Sequence, residues 1–331
     1  MKINKILIIQ TASIGDVILA TPLVEELHVL YPDARIDFLL KKGIEGVFEQ
    51  HPYINQVLIW DKSKGKYQHL WRLLKAIRKT KYELVVNCQR FASSGFLTAF
   101  SSAKLTTGFT KNPLSILFSK RYLHSIKNGD MHETERNLRL IEFLSPKPEV
   151  ALRLYPTQAH FVRTSHYKTK KYICIAPASL WFTKQYPDYK WVDFVKAMPN
   201  DLVVYFLGSK NDVELCNRII AESKSEACLN LAGKLSFLDS AALMRDAQMN
   251  YVNDSAPLHI ASSVNAPVCA VFCSTVTTFG FGPLSSHSMV VETSQKLDCR
   301  PCGLHGYQAC PKKHFACATG IQTQQLLNTL P

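Results

Sequence analysis

Short apolar runs alternate along the chain with amphipathic stretches. Residues 5–10 (KILIIQ) are an almost unbroken apolar run of strand length, the pattern of a strand covered on both faces. The polar turn TASIGD (11–16) separates this run from VILATPLVEELHVL (17–30), whose apolar positions recur at helical spacing and predict a helix. RIDFLL (35–40), QVLIW (56–60) and ELVVNC (83–88) predict further strands, with a helix near 68–80 and another at ERNLRLIEFL (135–144). SPKPEVALRLYP (145–156) carries Pro146, Pro148 and Pro156 and suggests a boundary. The alternation then restarts with strands KYICIAP (171–177), LVVYFLG (202–208), NYVN (250–253) and PVCAVFC (267–273), and helices near 191–198, 211–223, 237–247 and 257–264. Strand–helix alternation marks parallel sheets with helices on their faces. The pattern therefore predicts two α/β units, 1–155 and 156–331, with ligands at the carboxyl ends of the strands and a site in the cleft between units.

Composition narrows the class without changing the fold. The chain has 331 residues, 47% hydrophobic and 20% charged, with no repeat or low-complexity tract, which excludes disorder, coiled coil and solenoid. The one stretch resembling a leader, residues 6–22, is interrupted by Gly15 and Asp16, and no run of 18 apolar residues lacks charge. A cytoplasmic protein is expected.

The charge is unevenly placed. Between Lys62 and Lys127 fourteen basic residues face one acid, Glu83, which equals the whole net charge of +13. Lys64, Arg72, Lys75, Arg78, Lys79 and Lys127 belong to this segment, and its bases are interleaved with large apolar side chains, as in HLWRLLKAIRK (69–79) and NPLSILFSKRYLHSIK (112–127). That mixture suits an anionic lipid boundary better than bulk water.

Three places can carry chemistry. The turn after the first strand holds one glycine where a dinucleotide fingerprint needs three, which disfavours a dehydrogenase; its Asp16 is either an N-cap or a general base. Ala176-Pro177-Ala178-Ser179 ends a strand with small residues, and Lys184 follows, an ammonium suited to phosphate oxygens. Asn253-Asp254-Ser255-Ala256-Pro257-Leu258-His259 feeds a helix, with an Asp or Ser N-cap and Pro in the first turn. The three polar side chains Asp254, Ser255 and His259 crowd that helix start, where an anion such as a diphosphate is favoured.

Of ten cysteines, Cys88, Cys174, Cys216, Cys228, Cys269 and Cys273 read as small core residues. Cys299, Cys302, Cys310 and Cys317, with His314 as a substitute ligand, have the spacing of a structural zinc site, with reduced or disulfide-paired cysteines as the alternative.

These motifs, with the His132-Glu133 to Arg136-Asn137 stretch, APASLWFTKQYP, YFLGSKND and LAGKLSFLDSAALMRDA, together resemble glycosyltransferase family 9, the ADP-heptose:lipopolysaccharide heptosyltransferases. The resemblance implies a GT-B fold, two Rossmann-like domains facing each other across a cleft. It also implies inverting transfer of a heptose or related sugar from a nucleotide sugar to a lipopolysaccharide core or lipid A precursor, with no metal required for catalysis. Asp16 matches the general base and Lys184 the phosphate-binding lysine. Donor contacts are implied for Ser179, Thr183, Lys184, Asp212, Asp254, Ser255, Ala256 and His259. The implied acceptor is an anionic lipid-linked saccharide met at the inner face of the cytoplasmic membrane, where the protein would sit peripherally, with Arg72, Lys75, Arg78 and Lys79 on that side. Ala256, Asp212 and Tyr186 stand where the family usually has Gly, Glu and Trp. If a glycine is needed for left-handed backbone, Ala256 reshapes the sugar pocket.

A nucleic-acid-binding protein with a zinc module is the alternative, suggested by an isoelectric point near 9.2. It leaves Asp16, Lys184 and Asp254 without a role, so no nucleic-acid partner is expected.

Overall fold

The computed structural model describes residues 3–63, 65–126, 129, 131–148, 152–199 and 201–330; Lys64 and Lys127 of the basic segment lie outside them. Contacts divide the chain into two compact units, Met1–Tyr155 and Pro156–Pro331. The first holds strands β1 (Lys5–Ile9), β2 (Arg35–Lys41), β3 (Ile54–Trp60), β4 (Leu84–Asn87), β5 (Leu105–Phe109) and β6 (Lys120–Tyr122), in spatial order β3-β2-β1-β4-β5-β6. The second holds β7 (Tyr172–Ala176), β8 (Val203–Phe206), β9 (Cys228–Asn230), β10 (Asn250–Asn253), β11 (Val268–Phe272) and β12 (Ser288–Glu292), ordered β12-β11-β10-β7-β8-β9. All pairings are parallel. Numbered within its own unit, each sheet runs 3-2-1-4-5-6, the doubly wound order whose switch point lies between its first and fourth strands.

The central strands are the apolar runs of the sequence: β4, β7, β10 and β11 are buried throughout. In the first unit, helices α1 (Ile14–Ile18), α2 (Thr21–Leu30), α3 (Lys66–Thr80), α4 (Ala92–Ala99) and α5 (Glu133–Leu138) accompany the sheet. In the second these are α6 (Gln158–Thr164), α7 (Asp188–Lys196), α8 (Val213–Ser223), α9 (Phe237–Arg245), α10 (Ala256–Ser263), α11 (Ala316–Thr319) and α12 (Thr323–Leu327). Each unit has its own core: Leu7, Leu39, Trp60 and Ile77 in the first, Trp191, Phe194, Phe206 and Tyr251 in the second.

Several expected elements change shape. The helix expected over 17–30 is two helices, because Pro22 in the first turn of α2 supplies no N–H to continue α1. The Ile18 carbonyl, which an N–H at position 22 would have bonded, accepts instead from Thr21 Oγ1 at 2.8 Å, and Leu19 O accepts from Asn137 Nδ2 at 3.1 Å. The helix expected over 135–144 starts at Glu133 and tightens into a 3-10 turn at Arg139–Ile141. Within the described part of the apolar-basic segment, residues 112–126, lie a 3-10 turn (Ser115–Leu117) and the edge strand β6. The His132–Asn137 stretch is a buried polar cluster: Arg136 Nε donates to Glu133 at 2.7 Å, and His124 Nε2 lies 3.1 Å from both oxygens of that carboxylate. Burial pushes the Glu133 carboxyl up, but His124 and Arg136 more than offset it and hold it below its ordinary value.

His51 sits among the rings of Phe48, Tyr53 and Tyr155, 7% exposed, its Nδ1 accepting from the Tyr53 N–H at 3.2 Å. Burial lowers its pKa to about 4. The unfolded chain therefore takes up a proton near pH 6.5 that the folded unit refuses, so stability falls as pH drops from 6.5 toward 4. The full loss is about 3 kcal/mol. Urea unfolding of the wild type and of His51→Phe between pH 7.5 and 4 is expected to show this acid slope in the wild type and a shallower one in the variant. Parallel slopes would mean that His51 is protonated within the fold.

Candidate active site

The loops after β7 and β10, on the two sides of the second sheet's switch point, are joined by one buried side chain. Asn253 ends β10 and is fully buried; its Nδ2 donates to Pro177 O at 2.7 Å and its Oδ1 accepts from Tyr186 N at 2.9 Å. It thus holds both ends of the 177–186 loop, which Gln185 tightens by donating to Ser179 O at 2.6 Å. A 3-10 turn, Phe182–Lys184, places the Lys184 ammonium 2.6 Å from Asp254 Oδ2, and Thr275 Oγ1 donates to the same oxygen at 2.6 Å. The two charged side chains are 15% and 7% exposed.

Asp254, committed to Lys184 and Thr275, is not the cap of α10. Ser255 occupies the cap position, but its hydroxyl faces Asn253 O at 3.4 Å and no side chain caps the helix. Ser255 thus holds the expected cap position without a side-chain cap bond; Pro257 has no N–H and Leu258 N donates to Ser255 O at 3.0 Å, which leaves Ala256 N as the first-turn donor at a helix start where an anion is favoured. Ala256 is the first helical residue and is not among the left-handed positions, so its methyl group brings no backbone strain. His259 is buried one turn further along α10. Ser179 is half-buried on the 177–186 loop. Thr183 is 1% exposed, and its Oγ1 accepts from Ser274 Oγ at 3.0 Å and Tyr307 N at 2.8 Å. Asp212 stands after the neighbouring strand β8, where its Oδ2 accepts from Ser209 N at 2.7 Å and Ser209 Oγ at 2.8 Å. The structure thus gathers Ser179, Lys184, Asp254, Ser255 and Ala256 around two adjacent strand ends and sets Asp212 on the next strand.

In the first unit Asp16 is the third residue of α1, not its cap. Ser13 is the cap: its N and Oγ donate to Asp16 Oδ2 at 3.0 and 2.6 Å, and its Oγ accepts from Asp16 N at 3.4 Å. These bonds fall on Oδ2 alone, so the carboxylate closes a capping box with one oxygen. The flanking loop is fixed by Gln89, whose amide donates to Gln10 Oε1, across the β1/β4 switch point. Lys62, the first residue of the basic segment, reaches Thr11 O at 3.0 Å over the Trp60 ring, and burial, then Lys41 and Lys66, lower its pKa. Its place directly behind the strand-like QVLIW run was the available signal. Asn253 and Ser274 were missed because their partners lie far along the chain.

Arg72, Lys75, Arg78 and Lys79 are exposed on α3, opposite buried Leu70, Leu73, Leu74 and Ile77. Among the described residues none of the four is in an ion pair, and Trp71 (56% exposed) and Tyr67 (73%) lie on the same helix. Cys299, Cys302 and Cys310 are half-buried thiols and Cys317 is buried. Cys299 Sγ lies 3.9 Å from His314 Nε2. Burial, then Cys310, raise the Cys317 thiol to about 11. Among the described residues no three His, Cys, Asp or Glu side chains converge as they would around a metal ion. Nor, among them, is any helix long and apolar enough to cross a membrane.

Comparison with known proteins gives a consistent picture. The family model for glycosyltransferase family 9 (heptosyltransferase) matches residues 70–307. The chain is 26% identical over 275 residues to lipopolysaccharide heptosyltransferase 3 of Escherichia coli, covering 79% of this chain and 81% of that protein. Among solved structures it resembles a glycosyl transferase family 9 protein from Veillonella parvula DSM 2008 (TM-score 0.82, 19% identity, 99% of this chain and 97% of that one). It also resembles the E. coli ADP-heptose lipopolysaccharide heptosyltransferase II (TM-score 0.80, 20% identity, 98% and 96%). The fold is that of these structures, GT-B, as the sequence leads one to expect.

Removing one member of the Lys184–Asp254 pair strands the other charge in a buried setting. Lys184→Met and Asp254→Leu are each expected to destabilise the second unit by about 3 kcal/mol, with the double variant losing far less than the sum. Urea unfolding of the three variants measures this; strictly additive losses would show that the two charges are not coupled.

Proposed function

The chain belongs to glycosyltransferase family 9, the heptosyltransferase family, and is a glycosyltransferase; on that premise we propose that it moves a heptose from ADP-heptose to a lipopolysaccharide core precursor with inversion. The observation that carries this reading is the buried Lys184–Asp254 pair beside the uncapped start of α10. A donor diphosphate has two kinds of negative oxygen to satisfy. The Lys184 ammonium meets one by a charge-assisted bond, and the backbone N–H of Ala256 at the start of α10 meets the other. Both contacts grow stronger as the glycosidic bond to the diphosphate breaks and charge collects on the leaving group. Asp254 and Thr275 keep the lysine stationed. Ser179, Ser255 and His259 contact the donor, and Asp212 the nucleoside end.

On the acceptor side, Asp16 removes the proton from the attacking hydroxyl, using the carboxylate oxygen that the Ser13 cap does not occupy. The acceptor is an anionic, lipid-linked saccharide, and the exposed bases of α3 with Trp71 and Tyr67 match such a molecule at the inner face of the cytoplasmic membrane, where the protein sits peripherally. No step uses a metal. Cys299, Cys302, Cys310, Cys317 and His314 do not converge around a metal position among the described residues, and no part in the transfer is given to them.

Two measurements test the reading. Incubation with a panel of sugar nucleotides and a lipid A–core acceptor, followed by mass spectrometry, is expected to give heptose transfer from the ADP sugar. Asp16→Asn then lowers kcat by about 10²–10⁴-fold with ADP affinity retained; near-wild-type turnover would leave Asp16 as a helix-capping residue only. Separately, charge reversal at Arg72, Lys75, Arg78 and Lys79 is expected to raise the apparent KM for the lipid acceptor and weaken binding to anionic vesicles, most clearly at low salt. Unchanged vesicle binding, or a loss confined to ADP, would remove α3 from the acceptor side.

A further inference from the structure

The cysteine-rich segment is not a separate appendage. Between Arg300 and Tyr307 it lies against the turn that carries Lys184, and every contact is specific. Arg300 donates from Nε to Cys273 O at 2.7 Å and from Nη2 to Thr275 O at 2.8 Å and Phe272 O at 3.2 Å, gripping the end of β11. Cys302 N donates to Ser274 O at 2.8 Å. Ser274 Oγ turns the other way and donates to Thr183 Oγ1. Tyr307 and Thr183 then bond twice: Tyr307 N to Thr183 Oγ1 at 2.8 Å, and Thr183 N to Tyr307 O at 3.1 Å. Phe315 stacks on Phe182, centroids 4.9 Å apart. Thr183 precedes Lys184, is 1% exposed, and its hydroxyl oxygen accepts from both Ser274 and Tyr307.

Gly306 makes the approach feasible. It is buried at φ +76°, and a Cβ there would stand 2.8 Å from Thr183 Oγ1, 3.0 Å from Lys184 Cγ and 3.3 Å from Ser274 Oγ. The oxygens are held by hydrogen bonds, so the Lys184 turn would have to move to admit a methyl group.

We propose that segment Arg300–Tyr307 is the positioning element of Lys184, acting through Thr183 and Gly306, and that it couples the cysteine cluster to nucleotide binding at the same site. Gly306, Tyr307 and Thr183 are positioning residues on this view, and Thr183 acts through its tail contacts and not by touching the donor. The inference rests on the reading that Lys184 holds the donor diphosphate. Coupling is reciprocal: an element that sets the lysine must itself be steadied when the lysine is engaged.

The test uses the full chain, with ADP as probe, by calorimetric titration. Gly306→Ala and Thr183→Val are expected to weaken ADP binding about tenfold or more, the weight of one charge-assisted hydrogen bond. Thr183→Ser, which keeps the hydroxyl, restores most of the affinity, a rescue that loss of packing alone would not produce. In the wild type, ADP is expected to slow iodoacetamide alkylation of Cys299, Cys302 and Cys310, read by mass spectrometry, while Cys228 on the distant edge strand β9 reacts at an unchanged rate. Wild-type affinity in both Gly306→Ala and Thr183→Val overturns the positioning role. Alkylation rates indifferent to ADP overturn the coupling, even where a variant does not fold. A wild-type chain that does not bind ADP overturns the nucleotide reading of Lys184 and this inference with it, whereas binding that no variant disturbs overturns this inference alone.

Discussion

A cation kept away from water has to be compensated, and in this protein that requirement organises one whole unit. The Lys184 ammonium, only 15% exposed, lies 2.6 Å from Asp254. Their mutual attraction is large in such a setting, and so is the penalty for desolvating both groups, so the pair is favourable only where geometry and further hydrogen bonds are supplied. The supply comes from four places: Asn253 fixes the lysine loop, Thr275 supports the carboxylate, Ser274 and the 300–307 segment brace Thr183. With Asp254 beside it, the lysine is stationed as one half of a neutral pair.

The acidic counterpart in the first unit is built on the opposite principle. Asp16 and Ser13 are three residues apart and satisfy each other within a single helical turn. Both donors of Ser13 meet the same carboxylate oxygen, so the capping box leaves Oδ1 outside it. The two charged groups thus differ in reach: one is fixed locally, the other by contacts drawn from across half the chain.

That difference in reach explains what could be read in advance. The central strands β1, β4, β7 and β11 are dense apolar runs and were plain, as were the short NYVN of β10 and the position of Asp16 at a strand–helix junction. The strands β6, β9 and β12 are KRY, CLN and SMVVE, short or partly exposed, and β5 is LTTGF, mostly buried but interrupted by two threonines and a glycine, so all four lack the pattern that marks a buried strand. The break at Pro22 hid inside a stretch whose apolar spacing is helical on both sides. Asn253 stood within a recognised motif, yet its partners are 76 and 67 residues away, and Thr183 meets Tyr307 across 124. Periodicity is blind to such distances, since it registers only neighbours along one element.

The repeated 3-2-1-4-5-6 order has an evolutionary consequence. Every hydrogen bond that stations Lys184, from Asn253 to Tyr307, closes within Pro156–Pro331, and the sheet beneath it is complete without a strand from Met1–Tyr155. A recombination event near residue 155 would cut no strand pairing and none of those bonds. The half bearing Asp16 and the basic α3 can therefore be exchanged as a cassette while the bonds around Lys184 are inherited intact.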